Sequence, residues 1–122
     1  MQNLEQLRAA AALGPAQKLD RSAISKLPAL ILSNGLLASA VFCNADGGGE
    51  NRKDMKAALD ATAAHLSART ILGSGISSAK DMVDDLSKRD PIILQRATTE
   101  ALAYLSYLKR FAAKASDDSE EN

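Results

Sequence analysis

From Leu27 to Ala45 the chain runs for nineteen residues without a charge. A segment of that length either crosses a bilayer as a helix or is covered by the rest of the protein. Pro28, Ser33, Asn34, Gly35, Ser39 and Asn44 interrupt its apolar run. A lone membrane helix would also leave the other amphipathic segments without a core partner. The expectation is a central helix, starting between Ser22 and Pro28 and ending near Asn44, buried on most sides by its neighbours. Leu30, Ile31, Leu36, Leu37 and Val41 are its expected packing residues.

Those neighbours are expected to be helical too. Ala and Leu supply 40 of the 122 residues, whereas Ile, Val and Thr supply 12, a balance that favours helix over sheet. Asn3 followed by Gln6 is an N-cap pattern, opening a helix with Leu4, Leu7 and Ala11 on one face. Gly14-Pro15 then interrupts or bends it. The glycines 47–49 mark a loop, and Asn51 with Asp54 caps a helix bearing Met55, Leu59, Thr62 and Leu66 at helical spacing. Gly73-Ser74-Gly75 ends that helix. Ser78 with Asp81 opens a short one through Leu86, and Asp90-Pro91 opens the last, which runs to about Ala115. The predicted fold is all-α, a compact single-domain bundle of five to six helices over residues 1–115. The final residues 116–122, with four acids, read as an acidic disordered tail.

Catalytic chemistry has little to work with. His65 is the one histidine, with no Cys, second His or paired acids beside it at ligand spacing. It falls a quarter-turn or more from the centre of the apolar stripe, which predicts a boundary position. Cys43, inside an apolar run, reads as a small buried hydrophobe and not as a reactive thiol. The glycine-rich stretches lack the Lys-Ser/Thr of a phosphate loop. Asp81, Asp84 and Asp85 read as a solvated face, with weak cation binding as the rival. No catalytic residue, metal site or cofactor is expected, and the chain is not expected to be an enzyme. A single cysteine and a start without a basic region and apolar core predict a cytoplasmic protein.

Net charge is zero, yet residues 1–115 carry 15 basic and 11 acidic groups, a net +4. On the last helix Leu94, Ala101, Leu105, Leu108 and Ala112 form the expected core stripe. Arg96, Glu100, Ala103, Tyr107, Arg110 and Lys114 gather opposite it. This line is either a solvated face with an Arg96–Glu100 pair or a phosphate-contacting stripe with Tyr107 packing on a partner or a base. With four aromatic residues and no Trp, a stacking platform for single-stranded nucleic acid is not expected.

Two stretches carry a resemblance. KLPALILSNGLLASAVF, Lys26–Phe42, and RATTEALAYLSYLKRFA, Arg96–Ala112, resemble signatures of the small subunit of the type III-B CRISPR effector, the Cmr complex. The opening LEQLRAAAAL is similar to that family's first helix. The family's usual Trp in the last helix corresponds here to Tyr107. The resemblance implies a small helical bundle without catalytic activity of its own. Several copies stack beside a helical backbone of subunits along the groove holding guide and target RNA. The backbone subunits cut target RNA, a large subunit carries the signalling and nuclease chemistry, and the small subunit stabilises the assembly and the target strand. Partners would be the other Cmr subunits, guide RNA and target RNA, with the isolated chain monomeric.

Lys26, Lys109 and Arg110 flank the two signatures and join Arg96, Tyr107 and Lys114 as RNA-contact candidates. Their alternative role is helix-end solvation and dipole complementarity. Asn34 and Gly35, poor helix formers expected mid-helix, are either a close-packing site or a subunit contact. A helical adaptor that binds only protein is the rival functional reading.

Overall fold

The structure, a computed structural model, describes residues 1–45 and 49–112. Among the described residues there are seven helices and no strand: α1 (Leu4–Ala16), α2 (Arg21–Ile24), α3 (Leu27–Asn34), α4 (Leu36–Asn44), α5 (Gly49–Ala68), α6 (Ala79–Leu86) and α7 (Pro91–Phe111). The all-α expectation holds. The count exceeds the expected five to six because the uncharged stretch and its approach divide into three helices. Residues 46–48, Lys114 and the expected tail at 116–122 lie outside the described residues.

The division falls at Gly35, whose φ of 90° lies where an L side chain is strained. Its N–H still reaches the Ile31 carbonyl at 2.7 Å, closing α3, while its own carbonyl accepts from the Ser39 N–H and hydroxyl and opens α4. Asn34 and Gly35 therefore sit at an exposed corner, not mid-helix. The corner also corrects the expected centre of the fold. Ile31 and Leu36 are buried and Leu30 and Leu37 half-buried, but Val41 is 57% exposed and Leu32 74%.

Helices α5 and α7 take the central place instead. α7 packs against α1, α2, α3 and α5, and α5 touches α1, α2, α4, α6 and α7. Ala58, Leu59, Ala63 and Leu66 of α5 meet a layer of Ala97, Ala101, Tyr104, Leu105 and Leu108 from α7 in one continuous core. Small alanines on both helices let their axes approach, and the larger residues fill the space between.

Helix starts follow the sequence closely. Asn3 and Gln6 form a reciprocal capping box, with bonds of 2.9 and 2.8 Å. The Ser78 hydroxyl accepts from the Asp81 N–H at 3.1 Å, and Pro91 takes the first position of α7 after Asp90. One start differs: α5 already begins at Gly49, so Asn51 lies inside it. Asp54 turns its carboxylate to the Asp20 N–H, 3.0 Å away, fastening α5 to the entry of α2.

Gly14-Pro15 does not interrupt α1, which continues to Ala16. Proline has no N–H for the carbonyl four residues back, that of Ala11. The Tyr104 hydroxyl donates to this carbonyl at 2.9 Å. A tyrosine on α7 thus supplies the bond that Pro15 withholds.

Candidate functional site

The geometry of α7 decides which of its polar residues are free. Its buried side is centred on Ala97, Ala101, Tyr104 and Leu108, turned toward α1 relative to the stripe expected from periodicity. Leu94, counted in that stripe, is only half-buried. One flank of the supposed outer line is consequently covered. Glu100, expected to be solvated and paired with Arg96, is 7% exposed and paired elsewhere. Arg8 of α1 donates to it through Nε and Nη2 at 2.8 and 2.7 Å, in a two-pronged pair. His65 of α5 bonds its Oε2 at 2.8 Å.

His65 is thus not a boundary residue. It is 3% exposed and stacks on Tyr104 with ring centroids 4.5 Å apart. Burial lowers its pKa, outweighing the attraction of Glu100, while Arg69 and Arg8 lower it further. We assign the neutral form, because Arg8 already balances the carboxylate. Its Nε2–H then donates to Glu100. For Glu100, burial works toward a higher pKa, but the bonds from Arg8 and His65 prevail and hold it below the usual carboxylate value. Burial also pushes the Tyr104 hydroxyl up to about 12, so it remains a donor to Ala11.

The expected contact residues fall into two groups. Arg96 is exposed near the start of α7, while Lys109 and Arg110 are exposed in its last turn. At 1.5 Å per residue these groups stand about 20 Å apart along the axis. Tyr107 is half-buried, its hydroxyl 3.2 Å from a Glu5 carboxylate oxygen, so it is a bridge to α1 and not a free ring. Lys26 is exposed at the start of α3. Nearby, Arg21 donates to the Ala112 and Arg110 carbonyls at 3.0 and 3.4 Å, placing a cation at the negative end of α7. The turn preceding Lys26 is thereby fastened beside Lys109 and Arg110.

Sequence reading missed a cleft of about 650 Å³ at the other end of α7. Leu4 and Arg8 of α1 form one side, Arg69 and Ile71 a second, and Gln95, Arg96, Thr99 and Glu100 of α7 the third. A smaller basic hollow of about 340 Å³ has Arg52, Lys53 and Lys56 against Cys43–Ala45. There the Arg52 guanidinium lies 4.1 Å from the Phe42 ring centroid. Cys43 is buried, and that burial raises its thiol pKa. Asp85 accepts from the Gly73 N–H and from Arg89, so it helps hold the α5–α6 connection. Among the described residues no group of His, Cys, Asp and Glu is arranged to hold a metal ion, and no helix is long and apolar enough to cross a membrane.

No curated protein and no solved structure matches the chain. Its sequence does match the family described as CRISPR-associated protein (Cas_Cmr5), over residues 4–115. That span takes in every described helix and both stretches that carried the resemblance. The chain therefore belongs to the Cas_Cmr5 family, the small subunits of the Cmr complexes of type III-B CRISPR systems.

Proposed function

We propose that this chain is a non-catalytic, cytoplasmic small subunit of a Cmr effector complex, stacking along the backbone subunits and stabilising guide and target RNA in antiviral defence. The family match across residues 4–115 carries this reading. The distribution of side chains supports it. Cations stand exposed at both ends of α7, while the Tyr104 ring is buried and the half-buried Tyr107 is tied to Glu5 of α1. Such a surface suits contact with the sugar–phosphate backbone without reading bases. An assembly whose guide RNA supplies sequence specificity requires no more.

The test is to reconstitute the complex with and without this subunit and titrate target RNA at several salt concentrations. Loss of target affinity and a shallower salt dependence on omission are expected, because phosphate contacts release counterions. Equal affinity and slope would leave the protein-only adaptor as the better reading. That second reading draws on the exposed Leu32, Val41 and Phe42 of α3 and α4, an apolar surface suited to a protein neighbour.

A further inference from the structure

The cleft between α1 and the first half of α7 gathers three guanidinium groups from three separate parts of the chain: Arg8, Arg69 and Arg96. Bringing like charges together costs free energy unless something compensates them. The lining supplies one carboxylate, Glu100, and both its oxygens are committed to Arg8 and His65. One acid balances one of the three cations. Among the described residues, neither Arg69 nor Arg96 has a hydrogen-bonded or ion-paired side-chain partner. The cleft therefore holds an excess of two positive charges.

Its edge is also held under strain. Thr70, directly after Arg69, has a φ of 61°, a left-handed conformation unfavourable for a β-branched residue. The Ile71 N–H reaches back to the Leu66 carbonyl at 3.0 Å, and this tight turn ends α5. It sets Arg69 and Ile71 side by side on the cleft wall. Arg8 is fixed by its two-pronged bond to Glu100, so its position is set before any ligand arrives.

We infer that this cleft seats an RNA strand through its phosphodiester backbone, with Arg69 and Arg96 each taking a phosphate and the Arg8–Glu100 pair forming the fixed wall behind them. The inference rests on the proposed role at RNA and names the place of contact. The planar guanidinium fork matches two phosphate oxygens at once. An open cleft of about 650 Å³ with two spare charges suits successive phosphates of a chain better than one small anion. Leu4 and Ile71 offer apolar contact to ribose. No aromatic ring lines the cleft for a base to stack on, so binding there is indifferent to sequence.

The test uses the assembled complex carrying Arg69→Ala, Arg96→Ala, or both, beside a Lys109→Ala/Arg110→Ala pair. Target RNA is titrated across a salt series, and subunit content is checked by native mass spectrometry. Arg8 is left in place because it holds Glu100. Each single change at the cleft is expected to weaken binding about fivefold to tenfold. Each should also reduce the slope of log affinity against log salt by roughly 0.7, with the double variant near twice that. Full affinity and slope in the cleft variants, with a loss in the Lys109/Arg110 pair, overturns the cleft and leaves the RNA role standing. No change in any variant overturns the cleft, and omission of the whole subunit then decides the RNA role. Failure of the cleft variants to assemble, with circular dichroism showing them folded, means that the cleft takes an acidic protein surface, which also overturns the proposal.

Discussion

Helices α3 and α4 contain no charged residue, yet Leu32, Val41 and Phe42 stand well out in solvent. Helix α7 carries Arg96, Glu100, Lys109 and Arg110, yet it runs through the centre of the protein and buries a carboxylate. The difference shows that burial is decided by what lies opposite a side chain, not by the polarity of its own segment. A carboxylate enters the core where Arg8 and His65 already present donors to it. A leucine stays outside where the chain turns a corner at Gly35 and no neighbour covers it.

The sharpest way to break this contrast is Glu100→Ala. It leaves Arg8 and the buried His65 without their shared acceptor, and a loss of about 3 kcal/mol is expected. Urea denaturation followed by circular dichroism reads it. A loss below about 1 kcal/mol would mean that the carboxylate is no more central than a surface group.

A second variant probes the same helix one turn later. Tyr104→Phe keeps the ring against His65 but removes the donor to Ala11, at a cost of about 1 kcal/mol. In a Pro15→Ala background the cost should shrink, since the restored amide can take that carbonyl itself. Equal costs in both backgrounds would show that Tyr104 does not substitute for the missing proline N–H.

Acid should act on α7 in two smaller stages. His65 has a lowered pKa when folded, so protonation favours the unfolded chain. Its stabilising contribution is complete above the unfolded value near 6.5 and declines as pH falls through the lower folded value. Glu100, lowered from 4.5, behaves in the same sense but further down: its contribution is full above that value and is lost as pH falls through the folded one. Stability measured against pH for His65→Gln should lack the first decline and keep the second.

The smallest effect belongs to the uncharged region. Leu32→Ser is expected to change stability by no more than about 0.5 kcal/mol, because the side chain is 74% exposed. A larger loss would mean that a neighbour covers Leu32 and would erase the contrast.

Much of this architecture is legible locally. Asn3 and Gln6, Ser78 and Asp81, and Asp90-Pro91 act within one helical turn, and their helices open beside them. The basic residues of α7 are visible in the same way. The Arg8–Glu100–His65 group is not, because its members are separated by 92 and 35 residues and periodicity carries no information about such partners. One signal was present: Glu100 is the lone acid of α7, standing between Ala97, Ala101 and Tyr104 on the rim of the apolar side. The corner at Gly35 was hidden for another reason. A glycine in an apolar run is compatible with a continuous helix, and only the backbone conformation decides.

The bonds joining α1 and α2 to α7 have a consequence for how the protein is made. Arg8 to Glu100, Ala11 to Tyr104 and Arg21 to Ala112 each span more than ninety positions in the chain. Residues of α1 and α2 are therefore completed only by a helix made some ninety positions later. At ribosomal rates of about 5–20 residues per second, α1 waits about 5 to 20 s for the helix that covers it. Until then its Ala-rich face is open to chaperones or to other nascent chains, and folding ends by closing a loop of more than ninety residues.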